Sequence, residues 1–142
     1  KSNNISFGFG YNPSSNFSIT ADYYSINITD RIVYSNEVSN AQVNRISFFI
    51  NAAETKTSGI DLVASYRNID VGSSKLSLNL AGNYTLNNEL VGGWEGLNAK
   101  IGLPIFNDTQ EALLTTSRPT YKYILGMDLN TGKLAINLNN SL

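Results

Sequence analysis

The sequence predicts an all-β chain, an antiparallel up-and-down meander of about six strands. Three observations carry this reading. Apolar and polar residues alternate with period two over most of the chain, and no window longer than about ten residues keeps a helical period. The connections alternate in length: short at 12–16, 67–74 and 130–132, long at 33–46 and 91–119. Asn, Ser and Thr are abundant while Pro totals only 3, a mixture that suits strands with wet faces.

The first strand is predicted over about 5–11, with Ile5, Phe7, Phe9 and Tyr11 on one face and Ser6, Gly8 and Gly10 on the other. Asn12-Pro13-Ser14-Ser15-Asn16 makes a turn, because Pro presets φ and Asn and Ser bond their own backbone. The second strand, about 17–32, starts with Phe17, Ile19, Ala21 and Tyr23 on its apolar face and then switches to Tyr24, Ile26 and Ile28. That change of parity implies a bulge or a change in what surrounds the strand. The third, about 48–66, is polar from Asn51 to Ser58 and then alternates as Ile60, Leu62, Ala64 and Tyr66. The fourth, about 75–90, alternates most cleanly, with Leu76, Leu78, Leu80, Gly82, Tyr84 and Leu86 against Ser77, Asn79, Ala81, Asn83 and Thr85. The last two, 120–129 and 133–142, flank a tight hairpin turn at Asn130-Thr131-Gly132.

Composition removes several classes of function. The 142 residues contain no His and no Cys, so the usual general base, thiolate chemistry and the commonest metal ligand are absent. No carboxylate pair stands out, and neither catalytic residues, a metal site nor a cofactor is expected. A net charge of -1, from 10 basic and 11 acidic residues, gives no electrostatic case for nucleic acid. No apolar run reaches the length of a membrane-crossing helix. Asp128-Leu129-Asn130-Thr131-Gly132 faintly echoes a calcium loop but sits where a hairpin must turn.

In a meander, every second connection lies at the same end of the sheet. The short turns then share one end and the long loops the other, as in outer-membrane β-barrels. A soluble antiparallel β-sandwich, serving as a binding or adhesion module, also alternates, and pattern alone leaves both open. A membrane barrel leaves its apolar belt facing lipid, whereas a sandwich buries it against a second sheet.

Two segments carry a resemblance to a known family. DYYSINITDRIV, within Phe17 to Val33, resembles a strand of TonB-dependent outer-membrane receptors, and FFINAAETKTSGIDLVASY (48–66) is similar to a second segment of the same family. Lys75 to Tyr84 and Arg118 to Asn139 follow in the order of that family's late barrel strands. The resemblance implies that residues 1–142 are a late part of a barrel of about 22 strands, without the N-terminal plug. It also implies the bacterial outer membrane as location, uptake of a scarce nutrient such as a ferric siderophore, and coupling to TonB through a region N-terminal to the barrel. Outer-membrane lipid and a nutrient chelate are the implied partners. The isolated segment, with two open edges and an apolar face, is expected to self-associate.

Candidate ligand-binding residues are Trp94, Arg118, Asp22 and Asp61. Trp94 and Arg118 lie in the long loop, with Glu95, Lys100, Asp108 and Glu111. Trp94 offers contact area to a ligand, and equally an anchor for the loop. Asp22 and Asp61 fall on the predicted polar face with Val63, Ser65, Asn79, Asn83, Lys122 and Asp128, where the ordinary reading is a wet barrel interior. On the barrel reading the third strand leaves the bilayer near Gly59, with Asn51 to Ser58 in water or among polar loops.

Overall fold

The computed structural model of the 142-residue chain describes every residue except 40–44 and 103–105, together with the side chains of Leu97 and Ile101. Parts of both predicted long loops, 33–46 and 91–119, therefore lie outside the described residues. Six strands form one sheet in chain order: β1 (Ser2–Ser14), β2 (Phe17–Tyr34), β3 (Phe49–Val71), β4 (Ser74–Gly92), β5 (Tyr121–Thr131) and β6 (Leu134–Ser141). Neighbours are antiparallel, and β1 and β6 form the edges. Three connections are two-residue turns, at 15–16, 72–73 and 132–133. Gly72 and Gly132 supply the positive φ, 62° and 55°, that two of these turns use.

The strands run further than their alternation shows. Residues 12–14 and 67–71, predicted as turn, are strand, because backbone pairing continues where neither face needs to be apolar. The hairpin predicted at Asn130-Thr131-Gly132 turns at Gly132 and Lys133.

The chain divides into two compact units, with one boundary between Ser58 and Gly59. One unit comprises Ser6–Tyr24, Gly59–Leu86 and Thr120–Leu142. Its β4–β5 ladder shows why the sequence alternates. Leu76 pairs with Leu129, Leu78 with Met127, Leu80 with Leu125, Gly82 with Tyr123 and Tyr84 with Tyr121, all on one face. The intervening rungs, Ser77 with Asp128, Asn79 with Gly126, Ala81 with Ile124 and Asn83 with Lys122, form the other. β6 continues both faces, with Ile136 opposite Leu129, Leu138 opposite Met127, and Asn137 opposite Asp128. On the apolar face Phe7 packs on Tyr23 at 5.1 Å and Phe17 edge-on to Tyr66 at 5.8 Å between ring centroids. No described residue covers this face: Phe7 and Phe9 are each 68% exposed and Leu138 is 55% exposed.

The other unit comprises Lys1–Ile5, Ser25–Ser58 and Asn87–Pro119. Here the 91–119 segment is not plain loop. It carries two short helices, α1 (Glu95–Ile101) and α2 (Asp108–Thr115), which lie below the length at which periodicity is readable. Val33, Ala52, Ala53 and Phe106 form its buried core, with Ile50, Leu90, Trp94 and Leu114 packed around them. Between β2 and β3, Val38 bridges to Ile46 and the Ser35 N–H donates to the Phe48 carbonyl at 2.8 Å.

Of the two surroundings expected for Asn51 to Ser58, water and loops, the structure shows loops. Ala52, Ala53, Thr55 and Ser58 are buried, so this part of β3 is largely covered rather than wet. Their small side chains let the 91–119 segment approach the strand closely. A Cβ on Gly93, whose φ is 105°, would stand 2.8 Å from the Ala52 carbonyl oxygen.

Candidate functional site

Two surfaces hold the candidate residues. The first is the polar face of the unit that contains Asp22 and Asp61. Asp61 on β3 accepts a hydrogen bond from Asn83 Nδ2 at 2.7 Å, and Asn83 on β4 pairs in register with Lys122 on β5. The same Asn83 amide group donates to the Tyr24 hydroxyl on β2 at 3.1 Å. Tyr24, Asp61, Asn83 and Lys122 thus share a polar row drawn from four consecutive strands.

Next to this row lies a shallow apolar depression lined by Val63, Ala81 and Ile124. A second polar row follows, where Ser65 accepts from Arg67 Nε at 2.9 Å among Asn79, Asp128 and Asn139. Asp128 accepts from Asn137 across the β5–β6 ladder, so its carboxylate belongs to the hairpin and not to a calcium loop. Asp22 leans over Gly8, filling the space a Cβ would take on β1.

The change of parity after Tyr23 is explained here. β2 is continuous, and Tyr23 faces Phe7 on the apolar side while Tyr24 turns to Asn83 on the polar side. The surroundings change at this point, and the first positive φ of β2 comes only at Asp30, at 56°.

The second surface is the 91–119 element. Trp94 precedes α1 and stacks at a tilt on Phe106, with ring centroids 5.5 Å apart. It is half-buried in the element's own core. Asn107 caps α2: its Oδ1 accepts from the Thr109 and Gln110 N–H groups, and Gln110 Oε1 accepts from the Asn107 N–H at 3.2 Å. Asn88 on β4 holds the far end of α2, donating to the Leu114 and Thr115 carbonyls at 3.2 and 2.7 Å and accepting from Thr57 Oγ1 at 2.9 Å.

Several loop charges have a local use. Glu95 lies in the first turn of α1, and Asp108 and Glu111 in the first turn of α2, where the helix dipole favours acids. Lys100 lies in the last turn of α1, where the dipole favours a cation. Arg118 is exposed, with no hydrogen bond or ion pair among the described residues. Trp94 and Arg118 belong to one unit and Asp22 and Asp61 to the other.

Sequence reasoning missed Tyr24, Asn88, Phe106 and Asn107. Asn107 followed three residues later by Gln110 is a readable helix-start signal, but the absence of a long helical period hid it. Nothing local marks Asn88 or Tyr24, whose partners are distant in sequence.

Among the described residues no group of His, Cys, Asp or Glu is gathered to hold a metal ion. No helix among them is long and apolar enough to cross a membrane, which leaves crossing by strands untouched. What the polar face offers chemically is hydrogen bonding and charge.

One comparison decides the family. Residues 1–140 match the family described as TonB dependent receptor-like, beta-barrel. The chain belongs to the TonB-dependent receptor barrel family. Neither curated proteins nor solved structures returned a match. The family is one of bacterial outer-membrane transport receptors that work with TonB, and the outer membrane is where this barrel segment resides. It is a transporter family and not an enzymatic one. The soluble sandwich is therefore set aside, in keeping with the uncovered apolar face of β1 and β4–β6. From Leu76 to Tyr84 the apolar rungs span eight residue steps, roughly 27 Å along the strand at about 3.4 Å per residue. At a barrel tilt of about 40° that is roughly 20 Å of height, close to the apolar band of about 25 Å such barrels present to lipid.

Proposed function

We propose that this segment belongs to a receptor that captures a scarce nutrient chelate, such as a ferric siderophore, and imports it across the outer membrane with energy delivered by TonB. The single observation that carries the reading is family membership over residues 1–140, joined to a sheet with one apolar and one polar face. In barrels of this kind the polar face lines the lumen, which supports Asp22 and Asp61 as residues beside the path of a solute. Asp61 is supported by its place in the Tyr24–Asn83–Lys122 row. Arg118 is supported by its exposed guanidinium, suited to an anionic chelate. Trp94 is the weaker ligand contact, since part of its ring already packs on Phe106.

The test is uptake. A strain lacking the receptor is compared with one carrying it, using a panel of labelled ferric siderophores and cobalamin, with and without TonB. A chelate whose uptake requires both proteins supports the reading and names the substrate. Unchanged uptake of every chelate on deletion, or uptake independent of TonB, refutes it.

A further inference from the structure

The polar row contains an arrangement that solute passage does not require. Gly59 is the only glycine of the 23-residue β3. A Cβ built there would stand 2.6 Å from Tyr24 Cζ and 2.7 Å from the Tyr84 carbonyl oxygen. The Tyr24 ring therefore lies over β3 at the one position without a side chain. Crossing β3 in this way brings its hydroxyl to Asn83 Nδ2 on β4, at 3.1 Å. Three contacts between β2 and β3 keep a single antiparallel register: the Arg67 N–H to the Asn16 carbonyl at 2.7 Å, Phe17 against Tyr66, and Tyr24 over Gly59. Tyr24 thus stands directly opposite Gly59. Two residues before it, Asp22 leans the other way and fills the space over Gly8 on β1. Consecutive polar-face residues of β2 are therefore seated on glycines of both neighbouring strands.

We propose that Tyr24 seated on Gly59 is a register lock, which selects the β2–β3–β4 pairing during barrel assembly. A slip of one residue would exchange the two faces and is opposed by the hydrophobic pattern. A slip of two residues keeps every face correct, and alternation does not oppose it. Such a slip would set Tyr24 against Thr57 or Asp61, whose side chains occupy the space the ring needs. Only Gly59 lets the ring lie flat and reach Asn83, so the lock discriminates where the hydrophobic pattern is silent. A glycine inside a strand is otherwise a weakness, which the covering ring offsets.

Residues 1–142 contain no Cys, so a pair introduced among them can be read by disulfide formation in the intact receptor, against a control that lacks the pair. Ser18→Cys is combined with Ser65→Cys, which pairs in the observed register, or with Val63→Cys or Arg67→Cys, which pair after a slip of two residues in either direction. With Tyr24 present, cross-linking is expected at 65 alone. With Tyr24→Ala, the yield at 65 should fall and a cross-link at 63 or 67 should appear. Wild-type yield at 65, with none at 63 or 67, overturns the proposal. Should Tyr24→Ala fail to assemble, two variants decide. Tyr24→Phe keeps the ring but loses the bond to Asn83, and is expected to hold the register while lowering the folded-to-unfolded ratio about fivefold in a urea titration. Gly59→Ala in turn closes the seat under the ring, and the wild-type cross-linking pattern in that variant overturns the proposal.

Discussion

Removing Phe106 tests whether the 91–119 segment is a folded element with a core of its own. Phe106 is 4% exposed and packs with Val33, Ala52, Ala53 and Trp94. Burying its ring removes on the order of 150 Å² from water, which at about 25 cal/mol per Å² is roughly 4 kcal/mol. Ala retains part of this, while the ring pair with Trp94 contributes about 0.5–1.5 kcal/mol more. Phe106→Ala should therefore cost about 3–4 kcal/mol, in the range measured for buried aromatics. Among the described residues the α1–α2 element has few buried contacts beyond this cluster, so the cost should appear as local opening and not as loss of the barrel. Its open population should rise by roughly two to three decades. Trp94 is the only Trp of residues 1–142, and the emission lost in a Trp94→Phe control isolates its signal. Phe106→Ala should show red-shifted emission, readier quenching, and hydrogen exchange across α2 faster by a comparable factor, with β4–β5 exchange unchanged. Unaltered Trp94 emission and α2 protection would refute the packing argument.

Four further outcomes follow from the same geometry. Leu80→Arg, in the middle of the apolar rungs, should destabilise the lipid-embedded barrel by about 2–4 kcal/mol, whereas Asn79→Arg on the opposite face should cost much less. Equal costs in urea unfolding from lipid vesicles would contradict the assignment of faces. Asn107→Ala removes the side-chain half of the α2 capping box and should weaken that helix by about 1 kcal/mol, seen as faster exchange confined to residues 108–115. Purified in water without detergent, residues 1–142 should sediment as oligomers, because their apolar face and strand edges are uncovered; a monodisperse monomer would refute this. A spin label at Leu62 should report lipid and one at Ser58 should not, and equal lipid accessibility would remove the proposed membrane edge near Gly59.

How much of this was legible depends on where the information lies. The six strands and their two faces were readable because Leu76, Leu78 and Leu80 meet Leu129, Met127 and Leu125, and a pleated strand forces that alternation into sequence. Asp61, Asn83 and Lys122 could be placed on one face for the same reason. That Asn83 bonds both Asp61 and Tyr24 was not readable, since Tyr24 lies 59 residues away and only the register brings them together. The α1–α2 element was missed because helices of 7 and 8 residues offer no more than two turns of periodicity. Their hold on β3 and β4 comes instead from single contacts such as Asn88 and Phe106.

The polar half of β3 shows why hydropathy and burial part company at a loop base. A strand emerging from a lipid-facing belt no longer needs alternation, whether it enters water or meets its own loops. The two cases differ in side-chain size. In water a strand tolerates long charged residues on both faces, as at Lys56, which is exposed. Beneath a packed loop it needs small ones, and Ala52, Ala53, Thr55 and Ser58 are all buried. Reading Asn51 to Ser58 as merely polar missed this, because Ser and Thr score as hydrophilic although their bulk is close to that of Ala and Val. Gly93 passing against the Ala52 carbonyl is the counterpart on the loop side. Small residues on a strand, facing a glycine of positive φ on the segment that folds back, mark a seat for structure and not a stretch of solvated strand. By that criterion the described part of the 91–119 element is seated on β3 by its own packing.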